Sequence, residues 1–170
     1  MQNPPSVPKI LKRLPNELQH RPLANWLTAN GSLTAKIEQL SAQKLIVQPT
    51  FEGRQTLSRT EIDQLKLPQR PQSAWVREAL LFGKVDEPAW VKARSVFSFH
   101  SLTGHGRQLA NLGQRPIGYV IFARHQAALV HRCYQLTADG WQRQSVYRWH
   151  GKRILISETF LPEFVAKYLD

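Results

Sequence analysis

The chain has little with which to staple itself, bind metal or cross a membrane. Among 170 residues there is one cysteine, Cys133, which excludes an intramolecular disulfide framework and a cysteine-built zinc site and fits a reducing, cytoplasmic setting. Cys133 itself reads as a buried thiol in a strand. Apolar runs such as Ala79-Leu80-Leu81-Phe82 and Tyr119-Val120-Ile121-Phe122-Ala123 stop far short of the ~18 residues a membrane span needs. The first apolar pair, Ile10-Leu11, is cut at once by Lys12-Arg13, so no secretory leader is expected. GxGxxG, P-loop and GxSxG patterns are missing, and the six histidines lack the HExxH or paired spacing of metal sites. They read as surface or structural residues, so neither a metal nor a nucleotide cofactor is expected.

Acidic residues are also scarce, 12 against 23 Lys and Arg, for a net charge of +11. A balance this basic raises the question of nucleic acid first. The charge is nevertheless scattered. Residues 1–85 carry 12 basic and 6 acidic groups and residues 86–170 carry 11 and 6, and Lys12-Arg13 and Lys152-Arg153 are the adjacent basic pairs. No single element concentrates cations among stacking aromatics, which disfavours a backbone-tracking nucleic-acid binder. The stretch from Pro88 to Ser157 has ten basic residues and one acid, Asp139. Its strands should create a positive potential where they converge, attractive to a small anion.

What is present suffices for a core: a chain of this size buries roughly 70% of its unfolded surface. Leu23, Trp26 and Leu27 at helical spacing predict a helix over 21–29, stopped by Asn30-Gly31. Ser32 then caps a second helix carrying Leu33, Ile37 and Leu40 on one face. Strands are predicted over 44–51, 74–83 and 89–100, with a single helical turn over 60–67 between the first two. Residues 103–124 hold two short helical candidates split at Gly113 and re-entered at Pro116. Strands over 126–136, 141–150 and 153–161 follow, joined by turns at Asp139-Gly140 and His150-Gly151-Lys152, and a closing helix over 163–169. Such tight connections require antiparallel neighbours. The prediction is a single α+β domain, an antiparallel sheet of about six strands with helices on one face and over one end.

Alternation places polar residues where they are not expected. Ile154, Ile156, Glu158 and Phe160 share one face of the last strand, and Trp75, Arg77, Ala79 and Leu81 share one face of the second. A carboxylate among large apolar side chains needs a cation or donors, and an arginine, which cannot shed its proton, needs an anion. Two readings stay open at this point. Arg77 and Glu158 pair with each other inside the sheet, or a cavity lies between them, shaped for a flat ligand with a carboxylate at one pole and a hydroxyl at the other.

The segments Trp75-Val76-Arg77-Glu78, Gly113-Gln114-Arg115-Pro116-Ile117-Gly118 and Ser157-Glu158-Thr159-Phe160-Leu161-Pro162, with Ala93-Arg94 and Ser101-Leu102-Thr103-Gly104 between them, resemble the chorismate lyase (chorismate pyruvate-lyase) family. The similarity runs over most of the chain, with residues 1–20 as an N-terminal arm and start of the first helix, and 21–170 as the family domain. It implies a six-stranded antiparallel sheet with helical flaps over a buried ligand. It also implies a cofactor-independent lyase that converts chorismate to 4-hydroxybenzoate and pyruvate at the entry to the aromatic branch of ubiquinone biosynthesis in bacteria.

By motif match, Arg77 takes the place of the arginine that binds the ligand carboxylate and Glu158 that of the glutamate facing the ring hydroxyl. These two are the expected catalytic pair. Leu33 stands where a methionine is familiar and Ile117 where a leucine is typical, each in a flap, and Arg94 is a further candidate for the enolpyruvyl carboxylate. A competing reading, a non-catalytic binding domain for small aromatic acids like the sensing half of bacterial transcription regulators, would need a DNA-binding domain. The ~40 residues before the first strand are too few to form one. A monomer acting on a small molecule, without nucleic acid or a membrane span, is the expectation.

Overall fold

The computed structural model describes residues 9–124 and 127–170. Residues 1–8 of the proline-bearing arm, and Gln126, at which the fourth strand was expected to begin, lie outside the described residues. The chain runs α1 (Asn16–Gln19), α2 (Pro22–Leu27), α3 (Leu33–Ser41), β1 (Ile46–Thr56), α4 (Arg59–Leu65), β2 (Ser73–Phe82) and β3 (Val91–Phe97). Two 3-10 segments, Phe99–Leu102 and Gly104–Asn111, then lead to α5 (Gly118–Ile121), β4 (Ala128–Thr137), β5 (Gly140–Trp149), β6 (Lys152–Phe160) and α6 (Pro162–Tyr168). The expected α+β domain with a six-stranded antiparallel sheet is what the chain forms, in the order β1-β2-β3-β6-β5-β4.

Local chemistry explains the boundaries. Pro22 occupies the first turn of α2, where its missing N–H costs nothing. The Ser32 side chain accepts from the Ala35 N–H at 3.2 Å and starts α3. The region expected to make one turn after β1 is a helix of 7 residues instead. Ser58 and Glu61 form a reciprocal capping box that stabilises it. The third strand stops at Phe97, short of His100, because the Ser98 side chain accepts from the Ser101 N–H and turns the chain into a 3-10 segment. His150 and Gly151, at φ 48° and 73°, supply the two positive-φ residues of the β5–β6 hairpin.

The sheet is covered on both faces. On one, Trp26, Trp90, Phe160 and Phe164 pack beneath α2 and α6, and Phe97, Leu109, Ile121, Tyr147 and Ile154 pack beneath the 3-10 segments and α5. On the other, α4 presses Ile62 and Leu65 onto Val76, Val96, Val146 and Leu155, so one helix stands apart from the rest. Residues 9–20 are packed rather than trailing: Leu14 and Leu18 join the first cluster, and Leu11 bridges to Tyr134 of β4. No helix among the described residues is long and apolar enough to cross a membrane.

Candidate active site

Register decides the relation of the two flagged residues. Arg77 lies opposite Ser95, which lies opposite Ile156, whereas Glu158 lies opposite Ala93, which lies opposite Ala79. Arg77 and Glu158 are therefore two strands and one same-face step apart, about 12 Å between backbones by sheet geometry. They do not pair with each other. The small side chains Ala79, Ala93 and Ser95 between them leave a cavity of about 40 Å³ that both Arg77 and Glu158 line.

Two helices form its cover. Leu33 and Thr34 reach it from α3, and Pro116, Ile117, Gly118 and Ile121 from α5 and the residues before it. At Gly118 the two covers meet so closely that a Cβ would stand 2.6 Å from Thr34 Oγ1 and 2.8 Å from Ser32 Oγ. The Tyr119 hydroxyl donates to Glu38 Oε1 across the same junction, and that oxygen also accepts from the Leu45 N–H at 2.9 Å. Burial opposes the Glu38 charge, but the hydrogen bonds from Tyr119 and Leu45, with the charge of Lys44, outweigh it and hold its pKa below the usual range.

At one pole, Arg77 is 4% exposed. Its Nη2 donates to the Gly113 carbonyl at 2.7 Å and, at 3.4 Å, to that of Arg115, tying β2 to the segment that leads into α5. Its Nε sits 3.5 Å from Glu52 Oε1 yet is buried without a hydrogen-bond partner. Burial pushes the Arg77 pKa down and Glu52 pulls it back only in part. The site thus holds an incompletely satisfied buried cation, a state that an incoming carboxylate would relieve.

At the other pole, Glu158 Oε2 accepts from Arg143 Nε at 2.5 Å. Arg143, 1% exposed, donates through Nη1 to the carbonyls of Trp26 at 2.8 Å and Ala29 at 3.1 Å. Burial works against the Arg143 charge, but Glu158 outweighs it and raises the pKa above that of an ordinary arginine. Arg132 adds a second anchor, donating to the Ala29 carbonyl at 2.7 Å, Ser145 Oγ at 2.7 Å and Tyr147 Oη at 3.1 Å. The carbonyl end of α2, electron-rich as helix C-termini are, is thus clasped by two arginines behind Glu158.

The family model for chorismate lyase matches residues 9–168. The chain belongs to the chorismate lyase family. The protein of Psychrobacter cryohalolentis named "Probable chorismate pyruvate-lyase" is 45% identical over 164 residues, 94% of this chain and 97% of the relative. Its namesake in Psychrobacter arcticus is 47% identical over 148 residues, 85% and 88%, and that in Acinetobacter baumannii 40% over 144 residues, 85% and 83%. Among solved structures, the "possible transcriptional regulator YydK" of Bacillus subtilis is similar at a TM-score of 0.47 and 8% identity, over 71% of this chain and 59% of that one.

Of the residues that the chorismate lyase resemblance singled out, Arg77, Glu158, Leu33 and Ile117 all line the one cavity. Arg94 does not, and the expectation that it meets a ligand carboxylate there is corrected. It lies opposite Glu78 and Ser157, on the face that α4 covers, while its neighbours Ala93 and Ser95 face the cavity. Its guanidinium is taken by Glu61 at 2.8 Å, Glu78 at 2.8 Å and Gln55 at 2.6 Å. Sequence reasoning missed Arg143. The signal was there: on β5, Trp141, Arg143, Ser145, Tyr147 and Trp149 share a face, the same charge-among-aromatics pattern that flagged the other two.

Proposed function

We propose that this chain cleaves chorismate to 4-hydroxybenzoate and pyruvate, supplying the aromatic branch of ubiquinone biosynthesis. The observation that carries the reading is a small-floored cavity, covered by α3 and α5, with a carboxylate-seeking arginine at one pole and an arginine-backed glutamate at the other.

In chorismate the ring carboxylate and the C4 hydroxyl stand at opposite ends of a flat diene, with the enolpyruvyl ether on C3. The C4 hydrogen leaves as a proton while its electron pair enters the ring and the C3–O pair departs on oxygen, which aromatises the ring and releases the pyruvate enolate; protonation of that enolate at its methylene carbon gives pyruvate. The protein therefore has mainly to hold one conformer, and positioning of that kind can lower a barrier by up to ~7–11 kcal/mol. Arg77 binds the ring carboxylate through its unsatisfied Nε edge, and Glu158 accepts from the C4 hydroxyl. Arg143 holds Glu158 in place, Leu33 and Ile117 press on the ring from the flaps, and the cover of α3 and α5 shields the site from water.

The cavity volume corresponds to only a few waters, so substrate entry and product exit need α3 and α5 to part. In the direct test, the purified protein is incubated with chorismate while 4-hydroxybenzoate absorbance and pyruvate are followed. Equal yields of the two products are expected, whereas tight binding of 4-hydroxybenzoate without turnover would reduce the protein to a binding domain.

A further inference from the structure

The fold engages half of the ten basic residues between Pro88 and Ser157. Arg143 meets Glu158, Arg94 meets Glu61 and Glu78, and Lys92 meets Asp139, while Arg132 and Lys152 are spent on carbonyls and hydroxyls. Arg107, Arg115, Arg124, Arg148 and Arg153 remain, and of these the β5–β6 register sets Arg148 and Arg153 directly opposite each other. Like charges in that position repel. Lys66, the left-handed C-cap of α4, joins them around a concavity of about 310 Å³ that no acidic side chain lines. Among the described residues none of these three cations forms an ion pair.

This concavity is separate from the site already described. Val146 and Leu155, the row next to Arg148 and Arg153, pack under α4 on the face turned away from the Arg77–Glu158 cavity. His131 lies opposite Val146 in that row. Burial first, and then the charges of Arg153 and Lys66, depress its pKa.

We propose that Lys66, Arg148 and Arg153 form a second binding site, for the phosphate group of a small soluble ligand. Three cations around one concavity without an acid match a dianion better than a monocarboxylate, and paired guanidinium forks suit the tetrahedral oxygens of phosphate. A recessed site bounded by α4 and the hairpin turn takes a single headgroup rather than a flat surface.

Inorganic pyrophosphate is the probe, titrated calorimetrically into the full chain and into Arg148→Ser/Arg153→Ser. The variant removes a repulsion, so without pyrophosphate its Tm should equal or exceed that of the wild type, and its chorismate turnover should be unchanged. Wild-type binding at least tenfold tighter than variant binding, with pyrophosphate raising the Tm of the wild type alone, is the expected result. Equal affinities, or no binding at 0.1 M-range ionic strength, would overturn the site. So would binding of the wild type to phosphatidylglycerol vesicles in the absence of any response to pyrophosphate.

Discussion

Arg143 and Glu158 face each other across β5 and β6, joined at 2.5 Å, and Arg143 is held from behind by the Trp26 and Ala29 carbonyls. The ion pair is buried, and the one carboxylate lining the cavity among the described residues is thus fixed by a partner that does not itself line it.

Removing that partner leaves Glu158 buried and uncompensated. Arg143→Met should destabilise the protein by about 3–5 kcal/mol, read by urea unfolding. Adding Glu158→Gln to it should return part of that loss, because no buried charge remains to be solvated. Arg143→Lys keeps the charge but not the two carbonyl bonds, so kcat should fall with the fold intact. A strictly additive double variant would show that the pair is not coupled.

The flaps meet through Tyr119 and Glu38. With Tyr119 38% exposed, loss of its hydrogen bond should cost about 1 kcal/mol, so Tyr119→Phe should speed 4-hydroxybenzoate release about fivefold. Hydrogen exchange over residues 31–41 and 113–122 should quicken in the same variant and slow when product binds to the wild type. Protection indifferent to both would mean that these segments are not a moving cover.

Glu87 ties the β2–β3 connection to α6. The hydrogen bond from Lys167 at 2.7 Å, then those from Tyr168 and Trp90, hold its pKa at about 2 against an ordinary 4.5. Because the folded value is depressed, the stabilisation is complete above pH 4.5 and disappears as pH falls through about 2. Thermal unfolding of Glu87→Gln should start from a lower Tm at neutral pH and converge with the wild type near pH 2. A constant gap across that window would place the effect in packing rather than charge.

Alternation made the sheet legible, because a half-covered strand must separate its faces every two residues. It also picked out Arg77 and Glu158. That these two do not pair was not legible, since it depends on strand order: β6 lies between β3 and β5, which leaves β2 two strands from Glu158, whereas Arg143 opposite Glu158 follows from the β5–β6 hairpin register and was overlooked. Arg94 was misplaced although its odd-even position already put it behind the cavity floor. The length of α4 was written in Ser58 and Glu61, a capping signal that was overlooked, and the 3-10 form of Gly104–Asn111 has no comparable mark in its sequence.

Affinities for 4-hydroxybenzoate and benzoate separate the proposed roles of Arg77 at the carboxylate and Glu158 at the hydroxyl directly. Arg77→Ala should weaken both ligands roughly 10- to 100-fold, the loss of one charge-assisted contact of about 1.5–3 kcal/mol. Glu158→Gln should leave benzoate nearly unchanged and remove most of the advantage that 4-hydroxybenzoate has over it. If Glu158→Gln instead weakens both ligands equally, or Arg77→Ala leaves benzoate untouched, the assignment of the two poles is wrong.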